Sequence, residues 1–110
     1  MSIFDIVGKR IAVNCRTEEE SDAFVKLAKE CKLADNWGDR RSFFEDYYDK
    51  TCYRIYKSNV FYNDPALRRG SVQFYLDNFY EIVPADEIDE LKDLLTGDIS
   101  MSEADISVLF

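Results

Sequence analysis

The chain of 110 residues is 46% hydrophobic and 15% aromatic, which is enough to build one domain around one core and argues against general disorder. Its formal net charge of −8, without a long basic stripe, disfavours direct binding of nucleic acid, because that affinity comes largely from Lys and Arg neutralising phosphates. No run approaches the roughly 18 apolar residues of a membrane span, and residues 1–10 contain no signal-peptide core, so we expect a cytoplasmic protein without membrane contact.

The first part of the chain predicts a strand followed by a helix. The alternation of apolar residues over Lys9–Cys15 is typical of a strand. Thr17, with Glu20 three residues later, matches a capping box and therefore marks a helix start. An apolar stripe at helical spacing then predicts a helix from Glu18 to about Cys31.

The next segment is rich in aromatic residues. Trp37 lies in a turn, and we interpret it as a lid over the edge of the core; an exposed contact residue of a binding surface is the alternative. The spacing of Phe and Tyr beyond it predicts a short helix over about Arg41–Tyr48. Because Tyr and Phe also favour strands, and Asp46 and Asp49 can mark turns, both of these alternatives stay open.

The stretch Thr51–Tyr62 predicts a β-hairpin with aromatic arms. Its first residues alternate, Ser58-Asn59 is a turn dipeptide, and Val60–Tyr62 resumes an apolar run. We expect Tyr53 and Ile55 to point into the core.

Beyond the hairpin the chain predicts a loop, a short helix, a strand and a longer helix. The loop covers Ala66–Gly70, and Ser71 can cap a helix over Val72–Asp77. Phe79–Pro84 has the composition of a fourth strand. Asp86–Leu95 is amphipathic, with apolar residues on one side and acids on the other.

These elements predict a single α+β domain over residues 1–110. We expect a mainly antiparallel sheet of about four strands, packed by the one main helix near the N-terminus. The core should lie within about residues 9–84, followed by an acidic helical extension over residues 85–110. With these boundaries, a chain truncated after Pro84 should keep a folded core. Pairing of two copies along the hairpin edge, which would give a homodimer, stays open.

The residue types present limit the available chemistry. The chain has three cysteines, Cys15, Cys31 and Cys52, and no histidine. Their odd number and wide spacing predict reduced, buried, structural thiols. Without a histidine or a C-x-x-C pair we expect no metal site and no cofactor, and Ser-His-Asp or Cys-His catalysis lacks its base. We therefore expect a protein that is not an enzyme, although carboxylate-based catalysis stays open.

Nearly all the excess negative charge lies in the last quarter of the chain. Residues 1–84 carry 13 basic and 14 acidic side chains, whereas residues 85–110 carry one basic and eight acidic. Spaced carboxylates on a helix can imitate the phosphates of DNA before a basic groove; a solvated helix face is the other interpretation. The predicted partner-binding residues are Asp86, Glu87, Asp89, Glu90, Asp93 and Asp98.

A second candidate site is a group of arginines. Arg68 and Arg69 lie beside the predicted start of the next helix, where guanidinium and free N–H groups favour phosphate or carboxylate. Arg54 shares a hairpin face with Cys52 and Tyr56, and we expect that face to be partly open. This alternative predicts a binding module for a small anionic ligand such as a nucleotide.

Several motifs together are similar to those of a group of small proteins encoded by bacteriophages and prophages. The resemblance covers residues 9–86 and rests on Ile11-Ala-Val-Asn-Cys15, Thr17-Glu-Glu-Glu20, Trp37-Gly38, Thr51-Cys-Tyr-Arg-Ile55 and Phe79-Tyr-Glu-Ile-Val83. It implies a phage protein that acts in the host cytoplasm, similar in kind to inhibitors of host defence such as anti-CRISPR proteins. The leading hypothesis is that the chain inhibits or modulates a host nucleic-acid-handling protein by occupying its basic surface.

Overall fold

The computed structural model describes residues 1–38, 40–57 and 65–96. These residues form an α+β domain, as predicted. The strands are β1 (Ile11–Cys15), β2 (Thr51–Tyr56), β3 (Ala66–Ser71) and β4 (Glu81–Pro84). The helices are α1 (Glu18–Glu30), α2 (Val72–Asp77) and α3 (Asp89–Thr96), and short 3-10 turns lie between the elements. No helix within these ranges is long and apolar enough to cross a membrane.

The four strands form one sheet in the order β3-β2-β1-β4. β2 is antiparallel to both of its neighbours, which confirms a mainly antiparallel sheet. The pair β1–β4 is parallel, with Ile11 opposite Glu81 and Asn14 opposite Pro84. Because parallel strands end at the same edge of a sheet, the segments after β1 and after β4 lie close together.

The partner of β2 differs from the predicted hairpin. β2 pairs with β1 on one side and with Ala66–Ser71 on the other, where Arg54 lies opposite Arg68. The predicted turn Ser58-Asn59 and arm Val60–Tyr62 lie outside the described residues. The prediction that Arg68 and Arg69 belong to a loop is wrong, since both are part of β3.

Helix α1 has the predicted start. The Thr17 hydroxyl accepts a hydrogen bond from the Glu20 backbone N–H at 3.1 Å. The Glu20 carboxylate accepts from the backbone N–H of Arg16, one residue before the position a capping box requires. At the other end Lys32 adopts the left-handed conformation with φ 63°, and Leu33 N donates to the carbonyl of Ala28 in a Schellman motif.

Lys32→Gly is expected to raise the free energy of unfolding by about 0.5–1 kcal/mol, because glycine adopts the left-handed conformation without a Cβ penalty. Urea denaturation measures the change. Lys26→Gly is the control, since Lys26 is an exposed interior position of the same helix, where glycine should lower stability by about 1 kcal/mol. A loss of stability in both variants would contradict the assigned helix end.

The α1 side of the sheet carries the larger core. Phe24 of α1 stacks on Tyr53 of β2 with ring centroids 5.3 Å apart, and Trp37 meets Tyr53 edge-on at 6.1 Å. Trp37 is only 6% exposed, and its indole N–H donates to the Arg41 carbonyl. Its predicted role as a lid is confirmed, and the alternative of an exposed contact residue is wrong. Tyr53 and Ile55 are fully buried, as predicted.

The segment before β2 is not the predicted helix over Arg41–Tyr48. It contains two 3-10 turns, Phe44–Asp46 and Tyr48–Lys50. Phe43 and Tyr48 have φ angles of 56° and 51°. A left-handed residue cannot continue a right-handed helix, so the chain breaks into single turns at these two positions.

The opposite side of the sheet is covered in part, by α2. Ser71 caps this helix as predicted, its hydroxyl accepting a hydrogen bond from the backbone of the first turn. Tyr75 of α2 is buried against Cys52 of β2. Gly70 permits this close approach, because a Cβ there would lie 3.0 Å from the Tyr75 ring. The six-residue helix covers this part of the face and leaves the side chains beyond Cys52 nearer to solvent.

The core extends beyond residues 9–84 at both ends. Ile3 and Ile6, in an N-terminal 3-10 turn, and Ala85, Ile88 and Leu91 are fully buried in the α1-side cluster. The acidic segment therefore contributes to the core as far as Leu91. Truncation after residue 84 would remove buried side chains, so the expectation that it leaves a folded core does not fit this packing.

Leu91→Ala is expected to lower the free energy of unfolding by about 3 kcal/mol, because it removes a fully buried side chain and leaves a cavity. Leu94→Ala, three residues along the same helix, is the control. Leu94 is 49% exposed, so its loss should cost less than about 1 kcal/mol. Equal effects in urea denaturation would show that α3 does not pack on the domain through Leu91.

Candidate functional site

The structure describes five of the six predicted partner-binding carboxylates; Asp98 lies outside the described residues. The predicted helix Asp86–Leu95 is a 3-10 turn, Ala85–Glu87, followed by α3, because Ile88 between them has an extended backbone and a buried side chain. Four of the carboxylates are exposed and are here called the acidic surface: Asp86, Glu87, Asp89 and Asp93.

Glu90 is half-buried and has a structural role. Its two carboxylate oxygens accept hydrogen bonds from the Ser2 hydroxyl at 2.6 Å and the Ile3 backbone N–H at 2.9 Å. Beside it, the N-terminal ammonium of Met1 donates to the Glu87 carbonyl at 2.8 Å. Burial opposes ionisation of Glu90, but the hydrogen bonds outweigh it and hold its pKa below the usual value. Glu90 thus anchors the N-terminal segment and does not belong to the acidic surface.

The acidic surface adjoins the start of α1. β1 and β4 end side by side, with Asn14 opposite Pro84. Just beyond them, the Arg16 guanidinium lies 3.6 Å from a carboxylate oxygen of Glu20 and 3.6 Å from one of Asp86. The acids of the first turn of α1 are therefore at the same end of the sheet as Asp86. This neighbourhood follows from the parallel strand pair, which no local sequence pattern indicated.

The three predicted anion-binding arginines are divided between the two faces of the sheet. Arg69 donates hydrogen bonds to the Phe43 carbonyl at 2.9 Å and to the Asp46 carboxylate at 2.7 Å, so it fixes the segment before β2. Arg54 and Arg68 lie opposite each other in the β2–β3 register. Neighbouring residues of a strand point to opposite faces, so Arg68 and Arg69 lie on different faces of the sheet. Both nevertheless line one pocket at the β3 edge, together with Tyr47, Gly70, Ser71 and Phe74.

Arg54 and Arg68 belong to a cluster on the α2 side of the sheet. The Arg54 guanidinium carbon is 4.1 Å from the ring centroid of Tyr56 and 4.8 Å from that of Tyr80, and Arg54 also donates to the Tyr80 hydroxyl. The Arg10 guanidinium carbon is 5.0 Å from the Tyr80 centroid, and Arg68 donates to the Tyr56 hydroxyl at 3.4 Å. These five residues are here called the arginine–tyrosine face.

The arginine–tyrosine face is positively charged. Within residues 1–38, 40–57 and 65–96, neither Arg10 nor Arg54 nor Arg68 forms an ion pair with a carboxylate. Arg54 Nε is buried and has no hydrogen-bond acceptor in the same ranges. Arg10 and Arg68 are exposed, whereas the two tyrosines and Arg54 are half-buried, which agrees with the partly open face predicted around Arg54.

Arg10 and Tyr80 were not among the predicted site residues. The alternation of side chains along a strand could have assigned both residues to the α2 side of the sheet. Arg10 lies two residues before Ala12 and Tyr80 two residues before Ile82, and Ala12 and Ile82 both pack in the cluster around Cys52 and Tyr75. Alternation assigns a residue to a face of its own strand but does not indicate which strands are neighbours. The cluster therefore becomes visible only with the sheet order.

The cysteines have the environment of structural thiols. Cys15 and Cys52 are fully buried, as predicted, and Cys31 is half-buried at the edge of the α1-side core. Burial raises the pKa of Cys52 to about 12 and that of Cys15 well above its usual value, and burial also raises the pKa of Cys31. In the part of the chain that the structure describes, no three Cys, Asp or Glu side chains are grouped as metal ligands.

Comparison of the chain with protein-family models, curated proteins and solved structures gave no match. The resemblance to phage proteins stays a prediction.

Glu90→Gln is expected to weaken the acid sensitivity of the fold. Because the folded pKa of Glu90 is depressed, its contribution to stability is present above the unfolded value of about 4.3 and is lost as pH falls through the lower folded value. The stability difference between wild type and Glu90→Gln should therefore shrink below about pH 4.3 in urea titrations.

Glu81→Gln serves as the control, since Glu81 is exposed and does not take part in the hydrogen bonds that join Glu90 to Ser2 and Ile3. The stability difference between wild type and this variant should change little with pH. A pH-independent difference for Glu90→Gln would contradict the anchoring role.

Proposed function

We propose that the protein is a non-enzymatic binding module whose acidic surface occupies a basic, nucleic-acid-binding surface of a host protein. The observation that carries the proposal is that Asp86, Glu87, Asp89 and Asp93 are exposed on a segment whose inward side chains are fully buried. The segment is thus fixed to the core while its carboxylates face solvent. Asp98 stays part of the proposed surface. Glu90 is not included as a contact residue, because its carboxylate anchors the N-terminal segment.

Fixed carboxylates suit this role for an energetic reason. Association requires the ordering of side chains and segments at the interface, and a segment that is already ordered loses less conformational entropy. Buried Ile88 and Leu91, together with the Glu90 hydrogen bonds, supply that order before any partner arrives. Negative charge held in place also steers a positively charged partner during diffusion.

The expected consequence for the partner is competition with nucleic acid. A groove lined by Lys and Arg binds phosphates through the same charges that carboxylates would neutralise, so one occupant excludes the other. The phage resemblance supports a host protein as the target. A binding role is preferred over catalysis because the chain has no histidine and its most buried thiols have raised pKa values.

Neutralising the acidic surface in the variant Asp86→Asn, Glu87→Gln, Asp89→Asn, Asp93→Asn should weaken partner binding at least about tenfold, because several rim charges are lost together. The measurement is capture of host proteins from a bacterial lysate by the immobilised chain, followed by titration of each captured protein. Double-stranded DNA and high salt should both release the partner.

The matched control neutralises four exposed acids elsewhere: Asp35→Asn, Glu45→Gln, Asp49→Asn and Asp77→Asn. It changes the net charge equally and should leave binding unchanged. If binding weakens equally in the two variants, the effect comes from net charge alone and not from the acidic surface. A captured partner that DNA does not displace would refute the proposed competition.

A further inference from the structure

We propose that the arginine–tyrosine face is a second binding site, specific for a small phosphate-bearing anion of the nucleotide class. It lies on the α2 side of the sheet and shares no residue with the acidic surface. The proposal is therefore independent of the partner-binding function.

The first argument is the imbalance of charge on this face. Of the four described arginines on other surfaces of this acid-rich chain, Arg16, Arg41 and Arg69 each form an ion pair with a carboxylate, and Arg40 donates to backbone carbonyls. The three arginines of the arginine–tyrosine face have no such partner within the described residues. Three neighbouring positive charges repel one another, so a bound anion would remove a local electrostatic cost.

The second argument is pre-organisation. The Arg54 guanidinium lies between the rings of Tyr56 and Tyr80 and donates to the Tyr80 hydroxyl, so its position is set before a ligand arrives. A fixed, planar guanidinium matches the paired oxygens of a phosphate group. Exposed Arg10 and Arg68 flank Arg54 on either side and can reach further phosphate oxygens.

The third argument concerns the size of the ligand. The face crosses a four-stranded sheet, in which three spacings between strands amount to about 15 Å. That width accommodates one nucleotide with its phosphates. A longer nucleic acid would extend towards the carboxylates elsewhere on a chain of net charge −8, which repel further phosphates. The tyrosine hydroxyls add hydrogen-bonding groups for phosphate or sugar oxygens.

Isothermal titration at constant ionic strength tests the site with four probes: adenosine triphosphate, inorganic pyrophosphate, adenosine and a 12-nucleotide single strand. Wild type should bind the triphosphate and pyrophosphate saturably and should bind adenosine at least tenfold more weakly. In the variant Arg10→Gln, Arg68→Gln, both phosphate ligands should bind at least tenfold more weakly. Both positions are exposed, so the fold should be retained, and a thermal melt verifies it.

The matched control is Arg16→Gln, Arg41→Gln, which removes the same charge from other surfaces and should leave the affinities unchanged. Arg54→Lys keeps the charge but loses the planar fork, so phosphate affinity should fall several-fold. The proposal is overturned if neither phosphate ligand binds saturably at millimolar concentration. It is also overturned if the control variant Arg16→Gln, Arg41→Gln loses as much phosphate affinity as the variant Arg10→Gln, Arg68→Gln. Adenosine binding as tightly as the triphosphate, or the oligonucleotide binding tighter than both, would equally overturn it.

Discussion

The buried hydroxyl of Tyr53 makes the contacts on which the rest of the architecture depends. It donates a hydrogen bond to the Ser42 carbonyl at 2.8 Å and, because its proton is used there, accepts one from the Ser21 hydroxyl at 2.8 Å. Burial raises the pKa of Tyr53, because the charged phenolate would lose its hydration in the core. Its ring packs on Phe24 and against Trp37. One strand residue thereby joins α1, the sheet and the segment before β2.

The inward position of Tyr53 also determines the arginine–tyrosine face. Side chains of a strand alternate between faces, so Tyr53 and Ile55 in the core place Arg54 and Tyr56 on the opposite side. Helix α2 is only six residues long, and its buried Tyr75 covers the sheet near Cys52. The partly open cluster of guanidinium and phenol groups is therefore a consequence of how the core is built.

Local sequence patterns predicted the elements that local contacts determine. The cap at Thr17 and the apolar stripe beyond it located α1, and Ser71 located α2. Ala66–Ser71 has no β-branched residue and was missed, because it is a strand only through its pairing with β2. The candidate site was predicted less well for the same reason. Arg10 and Tyr80 join Arg54 through the sheet order, which residues far apart in the sequence decide.

The two charged surfaces lie at opposite ends of β1 and β4, and this separation allows one small domain to carry both. Arg10 and Tyr80 immediately precede these strands, whereas Arg16 and Asp86 follow them. A five-residue strand spans about 16 Å, twice the Debye length of about 8 Å at physiological salt, and this length separates Arg10 and Tyr80 from Arg16 and Asp86. Arg54 follows Tyr53, which lies opposite Val13, and is therefore nearer the middle of β1. The formal charge of −8 therefore does not describe the charge of either surface taken alone. A long polyanion would meet both surfaces at once and would be repelled by the acidic one, whereas the proposed small anion and the proposed basic protein would each meet one surface only.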